Sequence, residues 1–121
     1  MQFAQKNFYK KLLGKIGEKK AAEFLKKKGY KILECNYKNP FGEIDIIAQD
    51  GEYTVFIEVK TRTGEDFGAP SEAVDIRKRQ KYVKSASYYL SFKDKWETPS
   101  RFDVIEIKNG EINHIIDAFC S

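Results

Sequence analysis

The sequence predicts an α/β fold, a mixed central sheet flanked by helices, in the order α-β-β-β-α-β-β. Three observations predict it. Apolar and small residues recur at helical period over residues 7–28 and 76–91. Five short runs are rich in the Ile, Val, Tyr and Phe that favour strands. Two dipeptides, Asp50-Gly51 and Asn109-Gly110, each join a pair of those runs like a two-residue hairpin turn.

Each element follows from its residues. Over 7–28, Gly14, Gly17, Glu18, Ala21, Phe24 and Leu25 fall on one side of a helix, and Lys15, Lys19, Lys26 and Lys27 fall mostly on the other. Gly29 supplies the stop. Residues 30–38 form a β-like run ending at Asn39-Pro40, and 42–49 and 52–60 form two strands around Asp50-Gly51. The polar stretch 61–72 is a loop of the kind that carries function above a rigid sheet. Asp75 is a plausible N-cap for the helix over 76–91, which packs Val83, Ala86 and Leu90. Residues 101–108 alternate as a strand, and 111–117 pair back on them across Asn109-Gly110.

A chain of 121 residues with 41% hydrophobic content is expected to form one domain, 1–121, with a real core. It contains no repeat or linker and no apolar run near the ~20 residues that cross a bilayer, so no membrane partner is expected. The first twenty residues lack the apolar core and cleavage site of a secretory signal, which makes the cytoplasm the expected location. Cys35 and Cys120 belong to no C-x-x-C pattern and are expected as free thiols without a role. With His114 the lone histidine, a zinc site is not expected, and His114 reads as an ordinary strand residue. The net charge of +4 is unevenly spread: residues 1–31 balance at +8 and the remainder at −4. Such a split suits a protein that meets a polyanion on one side and holds carboxylates elsewhere, or equally a solvated lysine-rich helix.

The hairpin GEIDIIAQDGEYTVFIEVKTR, residues 42–62, carries Glu43, Asp45, Glu58 and Lys60 where a core hairpin would carry Val or Thr. A turn at Asp50-Gly51 would set Asp45 against Phe56 and Glu43 against Glu58. It would also project Glu43, Asp45, Phe56, Glu58 and Lys60 from one face and Ile44, Ile46, Val55, Ile57 and Val59 from the other. Asp45 and Glu58 become diagonal neighbours roughly 7–8 Å apart at the backbone, close enough to share a cation. Mg²⁺ suits such a site because it takes oxygen ligands, keeps several waters, polarises phosphoryl oxygens and acidifies bound water. Lys60 could then hold the attacking water or offset developing charge. The plainer alternative is a half-exposed hairpin that simply shows polar residues at alternate positions. Glu18 adds weight to the site, because an acid within the small and apolar stripe of a helix is uncommon unless paired or metal-bound. Its own alternative is a boundary residue reaching solvent.

Asp45…Glu58-Val59-Lys60 resembles the signature of the PD-(D/E)xK nucleases, with Ile44 in place of the Pro of that name. The likeness runs through Gly14-x-x-Gly17-Glu18-x-x-Ala21, Gly29-Tyr30-Lys31-Ile32-Leu33, Gly42-Glu43-Ile44-Asp45-Ile46-Ile47 and Val55-Phe56-Ile57-Glu58-Val59-Lys60-Thr61-Arg62. It continues in Phe67-Gly68-x-Pro70-x-Glu72-Ala73-Val74 and Arg101-Phe102-Asp103-Val104. Taken together, these segments resemble the bacterial YraN-like uncharacterised family, often grouped with Holliday-junction resolvases. The resemblance implies a restriction-endonuclease-like αβββαβ core. It also implies Asp45 and Glu58 as metal ligands, Lys60 as catalytic lysine, and Glu18 as a further catalytic and metal-binding acid.

The expected activity is Mg²⁺- or Mn²⁺-dependent hydrolysis of DNA, branched DNA included, with a homodimer suited to paired cuts. The rival is a nucleic-acid-binding module that keeps the fold without cutting, and a third reading has the basic first helix docking an acidic protein. In the second helix Arg77, Lys78, Arg79, Gln80, Lys81 and Lys84 are candidate phosphate contacts, and Arg62 lies just beyond Lys60 where a loop could touch the backbone. Tyr88, Tyr89 and Trp96 could stack on bases or form a dimer face, although aromatics at helical spacing are more often core.

Overall fold

A basic helix opens the chain: α1 runs over Gln2–Lys27, several residues earlier than the pattern predicts, in the computed structural model, which describes residues 2–62, 76–93 and 97–119 and side chains from Phe8 onward. It ends in a tight C-terminal motif. The Tyr30 N–H donates to the Leu25 carbonyl at 3.0 Å and the Gly29 N–H to that of Lys26 at 3.0 Å. Gly29 takes φ +94°, a conformation that side-chain-bearing residues rarely adopt.

The strands β1 (Lys31–Asn39), β2 (Gly42–Asp50), β3 (Tyr53–Arg62), β4 (Ser100–Lys108) and β5 (Glu111–Phe119) form one sheet in sequence order. Among the described strands only β3 and β4 pair in parallel, so the chain must cross over between them, and α2 (Ile76–Phe92) lies on that crossover. The predicted element order and the α/β class with a mixed sheet therefore hold, consistent with a restriction-endonuclease-like core. Asp75, the loop after Arg62 through residue 72, Trp96 and Cys120 lie outside the described residues. Among the described residues, no helix is long and apolar enough to cross a membrane.

Alternation along β3 builds two cores. Phe56 faces α2, in a cluster with Ile47, Tyr82, Ala86, Tyr89, Leu90, Phe102 and Val104, and Val83 packs at its margin. Val55 and Ile57 face α1, with Ala21, Leu25, Ile46, Ala48, Ile105 and Ile107. Burying each large apolar side chain contributes roughly 1.5–3 kcal/mol, so both helices are anchored by the sheet between them. Tyr89 belongs to this core rather than to a stacking surface. Tyr88 contacts the rings of Phe41 and Phe92. Asn109 and Gly110 both have positive φ, 50° and 83°, as the predicted hairpin turn requires.

The first hairpin departs from its predicted register. Asp50 pairs with Tyr53 and Ile46 with Ile57, so the turn residues are Gly51 and Glu52 rather than Asp50 and Gly51. Gly51, at φ +59°, occupies the first turn position, the place for glycine in a type II′ turn. Every pairing shifts by two residues, and the step beyond Ile46–Ile57 brings Asp45 level with Glu58 instead of Phe56. A second correction follows at Ile44. It packs with the α2 core while Ile46 packs with the α1 core, so the two do not share a face. Strict alternation breaks at Asp45, and its position on β1 is occupied by Asn36, held at φ +53° between the pairs Cys35–Ile46 and Tyr37–Ile44.

Candidate active site

Asp45 sits where β2 parts from β3. Its Oδ2 accepts the Val59 N–H at 2.8 Å, so a side chain takes the place of a ladder carbonyl and is fixed in the gap between the strands. Burial, opposed by that hydrogen bond and reinforced by Glu18, Glu58 and Glu43, pushes its pKa up to about 7.

On the α1 side Asp45 opens into a cavity of about 410 Å³, shared with Lys10, Leu13, Gly14, Glu18, Val59, Thr61 and Arg62. Gly17 explains how the helix comes so near. A Cβ there would stand 2.0 Å from Thr61 Oγ1, so only glycine lets α1 lie this close to β3 and deliver Glu18 to Asp45. Glu18 is half-buried, and burial, then Glu43, raises its pKa against the pull of Lys15. The Asn36 amide, oriented by its partners, donates from its nitrogen to Glu43 Oε1 at 2.9 Å and to both Glu18 oxygens at 3.0 Å.

On the α2 side stands Glu58, whose side chain is only 5% exposed. Its Oε1 makes ion pairs with Lys60 Nζ at 3.0 Å and with Lys78 Nζ at closer range. Its Oε2 is buried and makes no hydrogen bond of regular geometry among the described residues, although the Tyr82 hydroxyl is within hydrogen-bonding reach of the carboxyl. Burial and the adjacent Lys78 lower the Lys60 pKa despite Glu58. Burial also works against the Lys78 charge, but Glu58 outweighs it and raises that pKa. Tyr82 is buried beside this group, and burial together with Asp45 and Glu58 raises its pKa far above the ordinary phenol range. A second cavity of about 410 Å³ opens here, lined by Gly42, Glu43, Arg77, Lys78, Lys81, Tyr82 and Ser85.

The residues singled out from sequence therefore divide. Glu18, Asp45 and Arg62 meet in the α1-side cavity, and Glu58, Lys60 and Lys78 form one ion cluster. Arg77 and Lys81 line the α2-side cavity. Arg62 also pairs with Glu106, Nε to Oε2 at 3.1 Å. Arg79 lies over the Phe119 ring, 5.4 Å from its centre, and Gln80 is exposed and lines neither cavity. Sequence reasoning assigned Lys78 to phosphate and did not find Asn36. Nothing in an isolated strand sequence marks Asn36 beyond the tolerance of Asn for positive φ.

His114 is the residue most unlike its expectation. Its side chain is 3% exposed, with Nε2 2.8 Å from Asp103 Oδ2 and Nδ1 2.9 Å from Lys28 Nζ. Asp103 also receives Arg101 Nε at 3.1 Å and the Asp117 N–H at 2.9 Å. The signal available in sequence was Asp103 itself, an acid inside an apolar strand.

Whether these groups suit a metal ion turns on donor chemistry. Among the described residues no three Asp, Glu, His or Cys side chains converge as a cage. Mg²⁺ does not need one, because it commonly takes one or two carboxylates and fills its octahedron with water. Asp45 and Glu18, all-oxygen donors facing one cavity, fit that requirement.

Comparison with known sequences agrees with the likeness read from the motifs. A UPF0102 protein of Thermodesulfovibrio yellowstonii is 55% identical over 107 residues, covering 88% of this chain and 95% of the relative. One from Caldanaerobacter subterraneus subsp. tengcongensis is 50% identical over 121 residues, covering 94% and 99%. Another from Clostridioides difficile is 49% identical over 108 residues, covering 88% and 95%. The family model matches residues 17–107, a span that runs from Gly17 against Thr61 through both acidic strands to β4, and the chain belongs to the uncharacterised protein family UPF0102.

Proposed function

We propose that this protein is a Mg²⁺- or Mn²⁺-dependent endonuclease that hydrolyses DNA phosphodiester bonds, branched DNA among its substrates. One observation carries the reading: Asp45 is buried and fixed by the Val59 N–H amid three other carboxylates, Glu18, Glu43 and Glu58. Four acids gathered this way repel one another, and a hard cation is the natural compensation. Asp45 and Glu18 would hold the ion, with Glu58 as the third acid. When bound, such an ion polarises a phosphoryl oxygen and acidifies water. Lys60, held on Glu58 at 3.0 Å, would orient the attacking water or offset charge on the phosphorane. Arg77 and Lys81 would position the DNA backbone without reading its sequence. The proposed setting is the cytoplasm, and a homodimer would suit paired cuts.

The test is cleavage of junction, flap and duplex DNA with Mg²⁺ or Mn²⁺, comparing wild type with Asp45→Asn. Cleavage confined to the wild type and abolished by EDTA is the expected result. Cleavage that survives both the substitution and the chelator overturns the mechanism.

A second reading, a nucleic-acid-binding module that does not cut, is favoured by a different observation. Glu58 is engaged by two ammonium groups, as an acid retired from metal binding would be. It expects salt-sensitive DNA binding and no cleavage with any metal in the same assay.

A further inference from the structure

We infer that Lys78 is a positioning residue that holds the charge of Glu58 in the metal-free protein and gives it up when a cation and a nucleic-acid strand bind together. This inference rests on the nuclease reading above. A carboxylate as buried as that of Glu58 must have a counter-charge, and removing it strands an uncompensated ion. Lys60 already supplies one from the same strand, two residues on. Lys78 adds a second ammonium on the same oxygen, from the first turn of α2. Two ammonium groups on one oxygen repel each other, and a divalent cation at the neighbouring Oε2 would add further repulsion.

One ammonium group must therefore yield, and the surroundings of the two lysines decide which. Lys60 belongs to a central strand, and its side chain is 26% exposed. Lys78 is 39% exposed, on a flexible four-carbon stem, and it lines the α2-side cavity beside Arg77 and Lys81. A phosphodiester entering that cavity would attract Lys78 away from Glu58 and remove the competitor of the cation. By linkage, the cation would raise affinity for the strand by the same factor. Metal and nucleic acid would then load cooperatively, each weakly bound without the other.

The experiment measures Mg²⁺ and Ca²⁺ affinity by calorimetry, with and without a saturating short DNA duplex. It uses wild type, Lys78→Met, Lys81→Met and Asp45→Asn, each checked for folding by circular dichroism. In wild type, DNA should tighten cation binding by about tenfold, within the roughly 5–150-fold range of site-to-site coupling. Lys78→Met should bind the cation tightly without DNA and lose most of the coupling. Lys81→Met, from the same cavity but not on Glu58, should bind DNA less well yet keep the coupling ratio. Full coupling retained in folded Lys78→Met overturns the inference and leaves the nuclease reading standing. Cation binding that is absent from wild type, or equal in wild type and Asp45→Asn, overturns both.

Discussion

Two polar clusters lie within the same sheet, and they are built on opposite principles. Around Asp103 on β4, the described charges and donors balance. His114, Arg101 and the Asp117 N–H all point at one carboxylate whose side chain is fully buried, Arg101 continues to Asp50 at 3.0 Å and Tyr30 Oη at 2.6 Å, and Lys28 closes the far side of His114. Burial alone would raise the Asp103 pKa, but these bonds outweigh it and hold the carboxyl below its usual range. Around Asp45 the balance is missing. Burial and the three neighbouring carboxylates outweigh the one backbone hydrogen bond to Asp45, and its pKa rises. A satisfied network fixes a structure, whereas an unsatisfied one is tolerated where a ligand completes it.

The sharpest way to test that contrast is to remove each central carboxylate. Asp103→Ala should cost about 3–5 kcal/mol, because it leaves Arg101 and His114 buried without their acceptor. Urea unfolding measures it, and a loss below about 1 kcal/mol would break the comparison.

Asp45→Asn should act in the opposite direction. The folded pKa of about 7 lies above the ordinary aspartate value of 3.8, so the folded state binds the extra proton. The metal-free wild type should therefore lose stability as pH rises from about 4 to 7, with the full benefit present only below that window. At 1.36 kcal/mol per pKa unit the loss is at most about 4 kcal/mol. Asp45→Asn should lack this slope and melt higher than wild type at pH 8 in EDTA. Adding Mg²⁺ should recover stability in wild type and not in the variant. Melting curves at pH 5 and pH 8 decide it, and a variant less stable than wild type at pH 8 refutes the account.

The sequence allowed the scaffold to be read better than the site, and the reasons are physical. Helix periodicity and glycine stops are local signals, so α1, α2 and the Asn109-Gly110 turn were legible. The first turn was not: Asp-Gly and Gly-Glu both allow a two-residue hairpin, and a two-residue slip leaves each side chain of a regular strand on its own face, so alternation cannot choose between them. Asp45 is level with Glu58 and not Phe56, but it opens toward α1 whereas Glu58 and Lys60 join Lys78 on the α2 side, so the one shared face that strict alternation predicts is not formed. The reversal at Asn36 and Asp45 depends on contacts from α1 and could not be read along one strand. The same holds for His114, whose partners are Lys28, just past the end of α1, and Asp103 on β4.

Helix placement links the two clusters and can be perturbed by one methyl group. Gly17→Ala would drive a Cβ into Thr61 Oγ1, and such overpacking typically costs about 1–3 kcal/mol. Relief by moving α1 outward would carry Glu18 away from Asp45, so DNA cleavage should fall more than stability does. Adding Thr61→Ala should restore much of both, since it removes the clashing oxygen and leaves the Cβ contact at 3.3 Å. A double variant as inactive as Gly17→Ala would show that Glu18 is not delivered by this contact.

The smallest effect separates two cations of α2 that look equivalent in sequence. Lys81 lines the cavity beside Glu58, whereas Arg79 lies over the Phe119 ring and lines neither cavity. If the imbalance around Asp45 marks where phosphate approaches, Lys81→Met should weaken DNA binding and lower the slope of log affinity against log salt by about 0.9, one counterion's worth on duplex DNA. Arg79→Met should leave that slope unchanged and instead cost about 0.5–1 kcal/mol of stability through its lost ring contact. Fluorescence anisotropy from 50 to 200 mM salt reads both slopes. Equal slope changes would mean that the whole exposed face of α2 attracts DNA, and that the acidic cluster does not set where the strand enters.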